Sequence, residues 1–214
     1  MTKTLSDRTV GRLSLYRRLL NNLASTGAKY AFSHDLAAVA GVTAAQVRRD
    51  VMAVGHTGSS TKGYDVSELA DSIGRFIDGE QRQSVAMVGV GNLGRAILAY
   101  FNGRRPNLAI VAAFDRDVHC VNRVIHGCRC HPVEQLEEVI AGQGIGTAII
   151  AVPAAEAQAI ADRLVCGGVR GILNFAPVPL RVPPSIFVQE MDITTSLEKV
   201  AFFARQQHRQ EEEF

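Results

Sequence analysis

The sequence predicts an α/β fold in two parts: a small helical N-terminal domain over residues 1–79, and a larger domain over 80–214 built on an open parallel sheet. Three observations carry this. Positive charge collects early, with nine Lys/Arg against three Asp/Glu over residues 1–64 and fourteen against eighteen thereafter, although the net charge is +2. Two short helical patterns separated by Gly41 lie inside that basic part. From Ser84 onward an apolar strand runs directly into a glycine-rich loop and a helix, and further apolar strands alternate with helical patterns.

With 214 residues and 47% hydrophobic content, the chain can bury one large core or two modest ones. It has no uninterrupted apolar run of about 18 residues and its first residues lack the apolar core of a signal peptide, so no membrane partner and a cytoplasmic location are expected. Four cysteines in such a compartment are expected as free thiols. A basic third on a mildly acidic body suggests a polyanionic partner for the first part alone, or else a solvated surface.

Leu13, Tyr16, Leu19/Leu20 and Leu23 recur at helical spacing between Val10 and Ala24, opposite the basic Arg12 and Arg18. Ser33 is expected to cap a short helix through Leu36 and Val39, Gly41 to break it, and Thr43 to cap another running to Val54. Two short helices around a tight turn form a helix-turn-helix pattern, or an ordinary helical hairpin with a charged face. The second helix turns Val47 and Val51 inward and offers Gln46, Arg48 and Arg49 outward. Arg can bridge guanine O6 and N7, Gln can bridge adenine N6 and N7, and either can hold a phosphate. The Gly- and Ser/Thr-rich run from Gly55 to Tyr64 suits the wing of a winged helix, with Lys62 its one full positive charge. Leu69, Ile73 and Ile77 then mark a packing helix over 66–77, closed by Gly79.

Ser84 to Val88 is an apolar strand, and Gly89-Val90-Gly91-Asn92-Leu93-Gly94 follows it before a helix from Arg95 to Phe101. In this strand-to-helix setting, the first Gly permits the tight turn, the second lets backbone approach a pyrophosphate and the third lets helix pack on strand. A second strand, Ala109 to Phe114, ends in Asp115, whose carboxylate can accept from both hydroxyls of an adenosine ribose. Asp115 favours NAD over NADP because it repels a 2′-phosphate, a preference softened by the neighbouring Arg116. A CoA site, or an empty unit of the same Rossmann fold, is the alternative. Strands over 147–152, 171–174 and 186–188, a helix over 155–164 and a terminal helix over 194–205 complete the pattern, with Glu211 to Glu213 expected as a frayed tail.

An oxidoreductase of this fold needs an acid or base near the nicotinamide, and the turns at Pro153 and at Asn174-Phe175-Ala176-Pro177 contain none. No catalytic residue is therefore expected. His119, His126 and His131 intersperse with Cys120, Cys128 and Cys130 in no zinc spacing, so no metal is expected, and strand alternation is expected to separate Cys128 from Cys130. The spacing leaves any redox role of these cysteines and Cys166 open.

Taken in order, Arg12-Leu13 with Tyr16, Gln46-Val47-Arg48-Arg49-Asp50, Gly63-Tyr64-Asp65-Val66, the glycine loop with Arg95-Ala96, Ala112-Ala113-Phe114-Asp115, Ala151-Val152-Pro153 and Gly171-Ile172-Leu173-Asn174-Phe175-Ala176-Pro177-Val178 resemble the Rex redox-sensing repressors from about Val10 to Phe203. The resemblance implies a winged-helix domain joined to a Rossmann domain, a homodimer with exchanged C-terminal helices, and a repressor released from a palindromic double-stranded DNA operator when NADH binds. It implies that Gln46, Arg48 and Arg49 lie on the recognition helix; Arg12 on the basic first helix and Lys62 in the wing complete the expected DNA contacts. NAD or NADH would be held by Gly89, Gly91, Asn92, Leu93, Gly94 and Asp115, with Pro153, Tyr100 and Phe202 toward the nicotinamide. Arg18, Tyr100 and Asp192 match a polar switch between the domains. Ser59-Ser60 stand where the family wing carries a Lys-Arg pair, which bears on operator preference. An NAD-dependent oxidoreductase, or a regulator sensing a CoA-type nucleotide, is the competing expectation.

Overall fold

The computed structural model describes residues 5–59, 61–79, 81–104 and 107–212, with side chains up to residue 206. The chain divides into two compact units, Met1–Gln81 and Arg82–Phe214.

In the first unit, helix α1 (Asp7–Ser25) starts earlier than its apolar pattern suggests, because Ser6 Oγ accepts from Thr9 N and caps it. It turns Leu13, Tyr16 and Leu20 onto α2 (Ser33–Ala40), α3 (Ala44–Ala53) and α4 (Val66–Asp78), which contribute Leu36, Val47, Val51, Leu69 and Ile73. Complete burial of each such side chain is worth about 1.5–3 kcal/mol, so this small core can hold four helices. Ser33 does not cap α2: the cap position is Phe32, and Asp35 Oδ2 accepts from Phe32 N at 2.9 Å. Thr43 caps α3 as expected, Oγ1 accepting from Gln46 N at 3.2 Å. Between α3 and α4 the chain makes a hairpin through the Ser59–Gly63 bridge, and β2 (Tyr64–Asp65) pairs antiparallel with β1 (Tyr30–Ala31). These two-residue strands are too short to leave an alternation in the sequence. Ser60 lies outside the described residues.

The second unit is a seven-stranded sheet with the order β5-β6-β4-β3-β7-β8-β9. Its strands are β3 (Gln83–Val88), β4 (Leu108–Asp115), β5 (Val124–Ile125), β6 (Cys128–Pro132), β7 (Thr147–Ile150), β8 (Gly171–Asn174) and β9 (Phe187–Glu190). All pairings are parallel except β5 with β6. Reading the parallel strands in chain order, this is the doubly wound 3-2-1-4-5-6 arrangement, which reverses direction between β3 and β7. Helices α5 (Asn92–Phe101), α6 (Leu136–Gly142) and α7 (Ala154–Gly167) connect the strands, and α8 (Ile193–Glu212) ends the unit. Strand β5 and helix α6 have no sequence expectation, being short, while β6 contains the strand expected over 128–130; β5 and β6 are held by pairing and α6 by burial of Leu136 and Ile140. Helix α8 runs through the expected tail as far as Glu212, whereas Glu213 lies outside the described residues.

Candidate functional site

In the first unit, α3 carries the expected contact residues on a buried polar base. Val47, Asp50 and Val51 face inward, while Arg48 and Arg49 are exposed. Asp50 is 3% exposed. Its Oδ2 accepts from Arg12 Nε at 2.6 Å and Tyr16 OH at 3.1 Å, and its Oδ1 from Arg12 Nη2 and Gln46 Nε2, both at 2.8 Å. Burial alone would raise the Asp50 pKa, but the hydrogen bonds from Arg12, Gln46 and Tyr16 outweigh it and hold the carboxyl below its ordinary range. Burial, then the charge of Asp50, pushes Tyr16 up to about 12. Arg12, expected on the basic side of α1 as a DNA contact, has its guanidinium clamped edge-on to Asp50 between α1 and α3. Asp50 itself had a sequence signal, an acid within the Val47/Val51 stripe. Arg48 Nη1 donates to Ser33 Oγ at 3.0 Å, and Arg49 Nη2 to Gln46 Oε1 at 2.8 Å. Lys62 is exposed in the turn of the hairpin, its N–H donating to Ser59 Oγ at 3.2 Å. Arg18 is exposed on α1.

In the second unit, the glycine loop leaves β3 at the point where the strand order reverses, the crevice in which open α/β sheets hold ligands. Gly89 has φ +92, and a Cβ there would lie 2.4 Å from the Ala151 carbonyl oxygen; at Gly94 it would lie 2.0 Å from the Gly89 carbonyl oxygen. These two glycines let backbone meet backbone. At Gly91 a Cβ would meet nothing within 4 Å, so the fold does not itself fill the space beside that residue. No side chain caps α5, and its first backbone bond is Arg95 N to Gly91 O at 2.9 Å, leaving the N–H groups of Asn92, Leu93 and Gly94 for an anion. Asp115 Oδ2 accepts from Val90 N at 2.6 Å, and Oδ1 from Arg116 N at 2.7 Å and Asp117 N at 2.9 Å. A carboxylate offers about four acceptor sites, so a ribose finds one free, and acceptance from both hydroxyls requires a backbone bond to open. Beside Asp115 lies a cleft of about 350 Å³, floored by Val88, Phe114, Val133 and Ile160. Arg116 is paired at its rim with Glu156 at 2.6 Å, a partner no local sequence pattern indicates.

Pro153 precedes α7, its carbonyl accepting from Glu156 N at 3.0 Å. The turn after β8 is built on buried Asn174, whose Nδ2 donates to Val178 O at 2.8 Å and to Glu190 Oε2 at 2.6 Å. An acid therefore does adjoin this turn, delivered by β9 from outside the segment, and it also accepts from Leu180 N at 3.3 Å. Tyr100 is 59% exposed, with the Arg104 guanidinium 4.6 Å from its ring centroid. Phe202 is not among the residues lining the cleft; with Leu197, Val200 and Phe203 it forms an exposed apolar run on α8. Asp192 accepts from Thr195 N at 2.9 Å and Thr195 Oγ1 at 2.5 Å at the start of that helix, bonds that lower its pKa.

Cys128 and Cys130 are both buried, on one side of β6 with exposed Arg129 between them, correcting the expectation of opposite faces: residues two apart on a strand point the same way. Burial pushes Cys128 up to about 11 and, with Asp115 and the nearby thiols adding to it, Cys130 up to about 12, which keeps both as unreactive thiols. Cys120 Sγ accepts from Arg95 Nη2 at 3.0 Å, and Cys166 is exposed.

Comparison with known proteins fits both halves. The family model described as "Putative DNA-binding protein N-terminus" matches residues 4–51, and the "CoA binding domain" model matches residues 80–178. The redox-sensing transcriptional repressor Rex of Carboxydothermus hydrogenoformans is 41% identical over 94% of this chain and 97% of its own length. The chain belongs to the Rex family of redox-sensing transcriptional repressors. A second Rex, from Rhodopirellula baltica, is 40% identical over 92% of this chain and 84% of its own. Among solved structures, the Rex-family repressor RSP in complex with β-NAD+ and operator DNA superposes with a TM-score of 0.87 at 29% identity, covering 98% of this chain and 97% of that one. RSP in complex with β-NADH gives 0.86 at 28%, covering 99% and 100%. The winged-helix and Rossmann assignment of the two units follows from these matches. Relatives named as repressors carry no catalytic assignment to this site. Among the described residues, no helix is long and apolar enough to cross a membrane.

Proposed function

We propose that this Rex-family chain is a cytoplasmic, dimeric repressor that binds a palindromic DNA operator through α3 and lets go of it when NADH occupies the glycine loop. The observation that carries this is the space left beside Gly91, next to an uncapped helix N-terminus and the Asp115 carboxylate, in a chain that also presents Arg48 and Arg49 from a helix-turn-helix. RSP, of the same family and fold, has been solved both with NADH and with NAD+ and operator DNA.

In this reading Gly89 and Gly94 shape the loop and Gly91 admits the pyrophosphate. The N–H groups of Asn92, Leu93 and Gly94 face its charge, and Asp115 takes a ribose hydroxyl. Arg48 and Arg49 contact bases or phosphates in the major groove, and Lys62 reaches a phosphate. The exposed apolar run on α8 is the dimerising surface, through which Phe202 meets the nicotinamide half of the partner's cofactor near Tyr100 and Pro153. Arg18, Tyr100 and Asp192 relay closure between the units. The cofactor, when bound, supplies the reduced or oxidised nicotinamide that is sensed. Against an oxidoreductase stands the naming of the Carboxydothermus hydrogenoformans and Rhodopirellula baltica relatives as transcriptional repressors. The CoA-domain match makes a CoA-type ligand the second reading.

The test is a titration of labelled palindromic DNA with the full-length protein, alone and with NADH, NAD+ or CoA. NADH should weaken binding about 5- to 150-fold, with DNA weakening NADH binding by the same factor, because coupling between two binding sites is reciprocal. Release by CoA but not NADH would move the chain to the second reading. Tyr100→Phe and Asp192→Ala should shrink the coupling while leaving each separate affinity nearly intact.

A further inference from the structure

We infer that Gln46 does not read a base but acts as a positioning residue, locked by Asp50 so that its amide oxygen holds the Arg49 guanidinium in place for base contact. The inference rests on the DNA-binding reading above.

It begins at Asp50, which receives four donors: two from Arg12, one from Tyr16 and one from Gln46. That fills the roughly four acceptor sites of a carboxylate, so Asp50 has nothing left to offer a base. Its buried negative charge settles which way the Gln46 amide points, since only the NH2 end can face a carboxylate. The carbonyl end is thereby turned to Arg49 Nη2, at 2.8 Å. Gln46 then has a bond at each end, Nε2 to Asp50 and Oε1 from Arg49, which leave it one N–H and one lone pair but fix the amide between two residues of its own helix. Reading adenine bidentately needs those two atoms together, aimed away from the helix. Arg49 is left differently, since a guanidinium has five N–H donors and Gln46 engages one. Those remaining suffice for the O6 and N7 atoms of guanine. An exposed arginine is otherwise free to sample many rotamers, and fixing it in advance removes part of the entropy lost on binding. The order of the relay is Arg12 and Tyr16 on α1, then Asp50, then Gln46 one turn earlier on α3, then Arg49 beside Asp50.

The proposal is tested by measuring operator affinity against a full set of single base-pair substitutions for the wild type, Gln46→Ala, Arg49→Ala and the double variant. Gln46→Ala should reduce operator affinity roughly three- to tenfold, the range of one lost hydrogen bond. It should relax discrimination at the same base pair as Arg49→Ala and at no other. In the Arg49→Ala background it should have no further effect. Thermal stability should fall modestly, since Gln46→Ala takes one donor from buried Asp50, and a merely structural loss would not relax discrimination at the Arg49 base pair alone, which separates positioning from a structural role. Loss of discrimination by Gln46→Ala at a different base pair, additive with Arg49→Ala, overturns the proposal and restores Gln46 as a base reader. An Arg49→Ala variant with an unchanged discrimination profile also overturns it, while leaving the repressor reading intact if the wild type still binds. Failure of the wild type to prefer any palindromic DNA sinks the functional reading itself.

Discussion

Gly91, at the start of α5, and Gly94, in its first turn, should respond in opposite ways to the same methyl group. Gly91 has φ −70 and ψ −163, extended backbone open to an alanine, and its added Cβ meets nothing within 4 Å. Alanine is a poorer N-cap than glycine by about 0.5–1 kcal/mol, while a stiffer unfolded chain returns about 0.4–1 kcal/mol, so Gly91→Ala should leave stability within about 0.5 kcal/mol of wild type. Gly94→Ala places the methyl carbon 2.0 Å from the Gly89 carbonyl oxygen and 3.0 Å from Met87 Cε. The first contact is a full ångström inside the 3.0 Å that Cβ atoms keep, and its partner is backbone that cannot rotate away. The overpacking cost should reach about 3 kcal/mol or more, roughly 10 °C in the melting temperature of the second unit. For NADH the order reverses in meaning. Gly91→Ala fills the room needed by the pyrophosphate and should weaken binding by about 1–3 kcal/mol, some five- to 150-fold in Kd, in a protein as stable as wild type. Calorimetric melting and NADH titration of the same samples provide the measurement. Wild-type NADH affinity in Gly91→Ala would refute the assignment of that space to the ligand, and an undisturbed melting temperature in Gly94→Ala would refute the packing argument.

Other consequences are more direct. Arg12→Ala should destabilise the first unit by about 3–5 kcal/mol, because it strips Asp50 of its main partner while leaving the charge buried; denaturant unfolding followed by circular dichroism reports it, and a loss under 1 kcal/mol would count against a buried clamp. The folded-state pKa of Asp50 is depressed, so the stability it contributes is present above the unfolded value of about 3.9 and drains away as pH falls through the folded value. An acid-unfolding curve of the wild type should therefore drop below about pH 4, and Asp50→Asn should flatten that part of the curve. Asp115→Ala removes both the ribose acceptor and the bond to Val90 N, so NADH affinity should fall and the margin over NADPH should narrow; unchanged titrations with both would place the ribose elsewhere. Leu197→Glu with Val200→Glu should dissociate the dimer in light scattering without lowering the melting temperature of the second unit, since both side chains are 66% exposed in the single chain.

The glycine loop, Asp115 and the order of the main strands are legible in the sequence because each depends on near neighbours: a strand must end, a turn must tighten and a helix must begin within a dozen residues. Helix α3 is legible for the same reason, its cap Thr43 and its stripe Val47/Val51 lying within one short segment. What the sequence could not assign is which polar groups are consumed by the fold. Arg12 and Gln46 look alike as donors on a basic surface, yet a partner 38 residues along the chain turns the first into a clamp, and the same carboxylate orients the second. Glu190 meets the Asn174 turn, and Glu156 meets Arg116, only because the sheet brings separate strand ends and helix starts together. Local pattern determines where a side chain can point, since burial and backbone geometry have short periods; whether that side chain is free for a ligand depends on charges brought near it by packing, and that was decided by the tertiary structure alone.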